Sequence, residues 1–296
     1  MSQRKSQPNT ESESPTKKTG ESNNVPVVEP VSISVSPATL IQGEPARITI
    51  NGVASSSAIA SLTLDDKPLP IFTDESKVSA LVGIDFHKKS GSYPIALTLH
   101  DGRTIEEKFE VEQRAVATTT FDIPAQLGGN TKEAEHRLTS TLAQDTAIIN
   151  AVLATTGPEK LWNGQFRLPL DGSITVTDVY GYKRQTGGVS LSHQGTDFRA
   201  SEGTSVYAIN SGKVAFADTL RNYGYTVIID HGLGLMTLYM HLSENKVKKG
   251  DLVEKGDLVA LSGNTGYSLG PHLHLSVRIN GFSIDPIKFL ELMGPE

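Results

Sequence analysis

Apolar and polar residues alternate in short runs along most of this 296-residue chain. Ser32 to Ser36, Ala46 to Ile50, Ile59 to Leu64, Gly91 to Leu99 and Ile105 to Val111 each read as a strand, because alternate residues of a strand share a face. Asn51-Gly52, Asp65-Asp66 and Asp101-Gly102 punctuate these runs, and Asp-Gly between two alternating runs is a strong hairpin signal. The period then changes. Ala134, Leu138, Leu142, Ile149 and Leu153 recur at helical spacing, so residues 131–156 predict an α-helix with Asn130 as N-cap, Glu133 as capping partner and Gly157-Pro158 as the stop. From Leu168 onward the pattern is β again. Ile174 to Val176, Ser205 to Ile209, Lys213 to Ala217, Thr226 to Ile229, Met236 to Met240, Leu258 to Leu261 and His272 to Ile279 read as strands, with Gly and Asn in the connections.

Residues 1–24 hold no apolar side chain besides Met1, and such a segment cannot bury enough surface to offset its chain entropy. The pattern therefore predicts a mainly β protein in four parts: a disordered tail over 1–29, a β-sandwich over 30–115, a linker and connector helix over 116–160, and an antiparallel β domain over 161–296. The sandwich resembles the Ig-like modules of surface and envelope proteins in its architecture, without their Cys…Trp…Cys signature. No run of about 18 apolar residues exists to span a membrane, and no signal peptide is visible at the N-terminus.

Charge and cysteine content narrow the chemistry. The chain carries 27 Lys and Arg against 33 Asp and Glu, and no segment is strongly basic, which argues against a nucleic-acid partner. With no Cys, disulfides, thiol catalysis and Cys-ligated zinc are excluded, so any metal site must use His and carboxylates. Five of the eight His, at 193, 231, 241, 272 and 274, fall within residues 193–274. His87, His100 and His136 read as surface residues, and His231, in a glycine-rich hairpin, as structural. Trp162, the sole Trp, reads as an anchor between the connector and the domain that follows.

Three short patterns concentrate the candidate chemistry: His193-Gln-Gly-Thr-Asp197, Tyr239-Met-His241-Leu-Ser243 and Gly270-Pro-His272-Leu-His274. Each is weak alone. On a strand, His272 and His274 point into one groove while Leu273 points into the core. His193 and Asp197 could add a nitrogen and a carboxylate, with Gly195 expected to let the backbone turn tightly between them. Two His and one carboxylate leave a fourth position open, the ligand count of a catalytic zinc.

These patterns resemble the lysostaphin-type (LytM-like) zinc metalloendopeptidases, which cleave peptide bonds of bacterial peptidoglycan. The matching stretch runs from about Leu168 to Leu290. It includes Gly203-Thr-Ser-Val-Tyr-Ala208, Tyr223-Gly-Tyr-Thr-Val-Ile-Ile-Asp-His231 and Gly263-Asn-Thr-Gly266, in the family's order and spacing. The resemblance implies the duplicated hybrid motif fold, Zn2+ bound by His193, Asp197 and His274, and two further catalytic residues, His241 and His272. It also implies stem peptides or cross-bridges of peptidoglycan as substrate, a cell-envelope or extracellular location, and a monomer. Zinc would activate a water near neutral pH while the two free histidines move protons, in an order left open by the sequence.

Two departures stand out. Asp197-Phe-Arg-Ala-Ser-Glu-Gly203 replaces the family's aliphatic run, so Arg199 or Glu202 could add charge to the groove wall. Val179-Tyr-Gly-Tyr-Lys-Arg184 stands where the family often shows Phe-Gly-x-Arg, which makes Tyr180 or Tyr182 a wall residue or an oxyanion donor. The extra sandwich could position the enzyme or cover its groove. The principal rival reading is a non-catalytic LytM-like module that activates other cell-wall hydrolases. A lipoyl-type carrier, suggested by the repeat over residues 247–259, lacks the required hairpin-tip Lys. Phosphoryl-carrier domains share related topology but lack the His-x3-Asp ligand pattern.

Overall fold

A computed structural model describes residues 1, 30–74, 77–120, 122–123, 128–186 and 189–294. The expected tail lies outside these residues except for Met1. The fold is mainly β. The first nine strands are β1 (Ser32–Ser36), β2 (Thr39–Ile41), β3 (Pro45–Asn51), β4 (Ile59–Leu64), β5 (Lys67–Pro68), β6 (Phe72–Asp74), β7 (Lys77–Gly83), β8 (Gly91–Leu99) and β9 (Thr104–Glu112). They form two facing sheets, ordered β1-β3-β7-β6 and β2-β9-β8-β4-β5. Leu40, Ile48, Val78, Ile95, Leu97 and Phe109 belong to the core between them. Strand β7 shows no alternation because it is covered on both sides. Val78, Ala80 and Val82 face the sandwich core, whereas Leu81 joins Phe72 in the core of the C-terminal unit.

After β10 (Thr118–Thr120) comes the predicted helix, α1 (Lys132–Leu153). Its N-cap is Thr131, whose hydroxyl accepts the N–H of Ala134 at 3.2 Å. The expected cap, Asn130, is engaged elsewhere: its amide oxygen accepts the N–H of Ile123 at 2.7 Å and its Nδ2 donates to Asp122. The buried stripe of α1 also passes through two polar residues, Thr141 and Asp145.

The C-terminal unit follows as β11 (Val176–Asp178), β12 (Lys183–Thr186), β13 (Val189–Ser192), β14 (Thr196–Arg199), β15 (Ser205–Tyr207), β16 (Gly212–Leu220), β17 (Gly224–Gly232), β18 (Leu235–Asn245), β19 (Leu252–Val253), β20 (Leu258–Ser262), β21 (His272–Ile279), β22 (Phe282–Ile284) and α2 (Pro286–Met293). Its main sheet runs β11-β14-β21-β18-β17-β16-β19, with β15 and β20 attached through β18, and β22 through β21. One face carries Phe198, Tyr239, Leu273, Leu275 and Val277, which pack with Trp162, Phe166 and Phe289. The other face carries Met236, Leu238 and Met240 beside His274. Helix α1 covers the apolar half of that face through Ile149. Full burial of one such side chain contributes about 1.5–3 kcal/mol.

Polar contacts fix α1 in place. Thr141 Oγ1 donates to Asn222 Oδ1 at 3.1 Å. The Asp145 carboxylate accepts the N–H of Arg221 at 3.2 Å, the N–H of Asn222 at 2.7 Å and Asn222 Nδ2 at 2.8 Å. The sandwich docks at the opposite end of the unit. Phe72 meets Trp162 edge-on at 5.1 Å, the Asp285 N–H donates to the Gly43 carbonyl at 2.7 Å, and Arg114 pairs with Glu44 and Asp285, each at 3.3 Å. Trp162 thus anchors the sandwich, not α1, to the C-terminal core. Among the described residues, no helix is long and apolar enough to cross a membrane.

Removing the Asp145 carboxylate would orphan buried donors of Asn222. Asp145→Ala should lower the unfolding free energy by about 3 kcal/mol in urea denaturation, while Thr139→Ala on the exposed side of α1 should stay within about 0.5 kcal/mol. Equal shifts would contradict the clamp.

Candidate metal centre

Asp197 in β14 lies directly opposite His274 in β21. Opposed residues of an antiparallel pair share a face, so this register alone brings the carboxylate to the imidazole. His193, just after β13, completes the group, with its ring edge-on to that of His274 at 4.9 Å. His193 Nε2 is 3.1 Å from Asp197 Oδ1 and 3.1 Å from His274 Nδ1, and His274 Nδ1 is 2.8 Å from Asp197 Oδ1. All three residues are buried.

Protonation decides what this triangle is for. His193 Nδ1 lies 2.8 Å from the Val179 carbonyl, which can only accept, so Nδ1 holds a ring hydrogen and Nε2 is the nitrogen directed at Asp197. Burial alone would raise the Asp197 carboxyl, but His193 and His274 outweigh it and hold the group far below the carboxylate range. Burial also pulls His274 down to about 4, against the opposing pull of Asp197. His193 Nε2, His274 Nδ1 and Asp197 Oδ1 therefore converge on one another with no other polar group between them to share. A cation satisfies all three at once. Two imidazole nitrogens and one carboxylate oxygen suit zinc, and three protein donors leave a coordination position open.

The two other histidines of the groove are oriented in the same way. His272 Nδ1 lies 2.8 Å from the Gly270 carbonyl and His241 Nδ1 lies 2.8 Å from the Thr265 carbonyl, so each directs Nε2 away from the backbone. Their rings are 4.8 Å apart. His241 reaches the groove by breaking the alternation of β18. Tyr239 faces the core and Met240 the groove, so residue 241 should face the core again, yet Leu242 is the core residue. The reversal occurs at His241, whose φ is +58°, a left-handed conformation rare outside glycine and found at functional sites. Burial, with the charges of His272 and His274 in support, pulls His241 down to about 3, so it is neutral at working pH.

The groove walls come from unexpected quarters. Thr119 and Asp122 of the linker, Leu142 and Thr146 of α1, and Tyr182 line it, whereas the sandwich reaches it through His87. Tyr180 is not in the groove: it is buried between the two units, its hydroxyl donates to the Ser283 carbonyl at 2.7 Å, and burial pushes it up to about 12. Arg199 and Glu202 are exposed and lie outside the lining residues. Charge enters the wall instead through residues such as Arg184, paired with Asp178 and, at 3.1 Å, with Asp197 Oδ2. That contact occupies the carboxylate oxygen that faces away from the triangle. The chain does bend at Gly195, but without a positive φ, so the bend alone does not demand glycine. A Cβ there would sit 2.3 Å from His274 Nε2 and 2.5 Å from the Leu275 carbonyl oxygen, so glycine gives the ring its room. His231 is in the core with both nitrogens engaged, by the Ser211 carbonyl at 2.7 Å and the Thr237 hydroxyl at 2.8 Å.

Residues 191–286 match the profile of Peptidase family M23. The chain carries a peptidase M23 domain at its C-terminal end. The peptidoglycan DD-endopeptidase ShyA of Vibrio cholerae is 43% identical over 96 residues, 32% of this chain and 22% of its own length. Lysostaphin of Staphylococcus staphylolyticus is 41% identical over 123 residues, 39% of this chain and 25% of its own. The chain thus spans about a quarter of these relatives. A crystal structure assigned to peptidase M23 from Pseudomonas aeruginosa superposes with a TM-score of 0.63 at 25% identity, covering 85% of this chain and 95% of that one.

Gly195→Ala should weaken zinc binding about 10-fold or more in a chelator competition, and an unchanged affinity would contradict the packing argument. His231 generates a pH dependence. Burial pulls it down to about 4, so between that value and an unfolded value near 6.5 the unfolded chain binds more protons. Stability should therefore fall as pH drops from about 6.5 toward 4, by roughly 3 kcal/mol from this residue. His231→Gln should flatten the slope in denaturation curves, and an unaltered slope would contradict the assignment.

Proposed function

We propose that this protein is a zinc-dependent endopeptidase that hydrolyses peptide cross-links of bacterial peptidoglycan, acting in the cell envelope or outside the cell. One observation carries the reading: His193, Asp197 and His274 converge as a metal-binding triangle beside the paired rings of His241 and His272. The named activity of ShyA, a peptidoglycan endopeptidase, supports the substrate class.

In this reading His193, Asp197 and His274 hold the zinc. When bound, the metal supplies a Lewis acid that makes water nucleophilic near neutral pH and polarises the scissile carbonyl. His241 and His272 are the catalytic histidines. Their Nδ1–H groups are held by backbone carbonyls, so each ring is fixed in orientation and tautomer, with Nε2 free to take a proton. One, neutral, accepts the proton of the attacking water at Nε2, and the other enters the reaction already protonated at Nε2 and delivers that proton to the leaving amine. Arg184 keeps Asp197 oriented through its second oxygen.

The domain plan follows. Residues 30–115 form an Ig-like module, a reading supported by strand orders β1-β3-β7-β6 and β2-β9-β8-β4-β5, which are those of a seven-stranded immunoglobulin sandwich with two added edge strands, β2 and β5. Residues 116–160 connect it to the catalytic domain at 161–296, and the enzyme works as a monomer.

Substitution separates the two kinds of histidine. His193→Ala should lose stoichiometric zinc and activity together. His241→Ala should keep zinc and lose about 10²- to 10⁴-fold in kcat on purified peptidoglycan. A fully active His241→Ala would overturn the role assignment, and a wild-type chain that binds zinc but digests no peptidoglycan would favour the non-catalytic binding module.

A further inference from the structure

Arg278 sits on the groove face of β21, two positions beyond Ser276 and four beyond His274, and lines the groove. Its Nη2 donates to the Gln194 side-chain oxygen at 2.9 Å, while its buried Nε has no hydrogen-bond partner. Among the described residues no carboxylate lies within ion-pair distance of it. The contrast with the groove's other guanidinium is sharp, because Arg184 is neutralised by Asp178 and Asp197. A half-buried cation without an anion is costly, and such charges are ordinarily paired. Gln194 is exposed and its backbone is held independently, its carbonyl accepting from the hydroxyls of Ser276 at 2.6 Å and Ser283 at 3.0 Å, so its placement does not depend on Arg278. Burial pulls the Arg278 guanidinium below its ordinary value, a further sign that the partner is missing from the chain itself.

We propose that Arg278 is a specificity-determining residue that binds a carboxylate of the substrate peptide. The site rests on the reading of the groove as a peptidoglycan peptide site and adds which chemical group is recognised there. Four strand residues place Arg278 about 13 Å along the sheet from His274, which is three to four residues of an extended peptide. The recognised carboxylate therefore lies three or four residues from the scissile bond. Arginine suits this task because its planar fork matches a carboxylate with two parallel hydrogen bonds.

The test reads binding rather than turnover, so it stands apart from the proposed catalysis. The zinc-loaded full chain is titrated calorimetrically with a four-residue peptidoglycan stem peptide, its carboxyl groups either all free or all amidated. Wild type should bind the free form at least 10-fold more tightly. Arg278→Gln should bind both forms at the amidated level, with zinc stoichiometry unchanged, and Arg278→Lys should keep part of the preference because it retains charge without the fork. Equal affinities in wild type, no measurable binding of either peptide, or a preference that survives in Arg278→Gln would each overturn the proposal. A failure to digest peptidoglycan alongside an intact carboxylate preference would instead count against the endopeptidase reading alone.

Discussion

The antiparallel register of β14 on β21 governs the rest of the site. It sets Asp197 against His274, and a slip of one residue would send both to opposite faces. Everything else is arranged around that pair. Val179 fixes the His193 tautomer, Gly195 makes room for the His274 ring, and Arg184 occupies the outward oxygen of Asp197. Bringing three buried polar groups this close is costly, so the surrounding sheet must hold them together. The fully buried Leu273, Leu275 and Val277 on the reverse face supply that rigidity.

The sheet has two apolar tasks and one polar one. Its inner face fills the domain core. Its outer face divides between the methionine-rich patch under α1 and the open groove with the histidines. The connector helix is thus structural and functional together. By covering Met236, Leu238 and Met240 it removes exposed apolar surface, and by presenting Leu142 and Thr146 it closes one end of the groove. The sandwich approaches from the far end of β21, where Gly83 packs against Ile279 and Ile284, and leaves the metal triangle clear.

Much of this was legible in the sequence, for identifiable reasons. His272 and His274 share a face through simple alternation, and the spacing of His193 and Asp197 completed a donor set that the geometry assembles. The placement of His241 was legible only through resemblance, because alternation assigns residue 241 to the core and only a left-handed backbone reverses it. Arg278 carried no signal, since a lone Arg in a strand has no periodicity to betray its surroundings, and Arg184 was marked only as the end of the Val179–Arg184 run, without a role of its own. Tyr180 was misplaced because neighbouring positions at a glycine turn face different ways, one into the groove and one into the seam between units. The helix cap moved from Asn130 to Thr131 because Asn130 is bound to the linker, a long-range demand that local capping rules do not contain.

The central claim is the identity of the metal ligands, and X-ray absorption at the zinc edge of the loaded protein addresses it most directly. The account predicts two imidazole nitrogens at about 2.0–2.1 Å with oxygen ligands completing a four-coordinate shell, and loss of one imidazole contribution in His274→Ala but not in His272→Ala. A shell with three or four imidazoles, or one altered by His272→Ala, would contradict it.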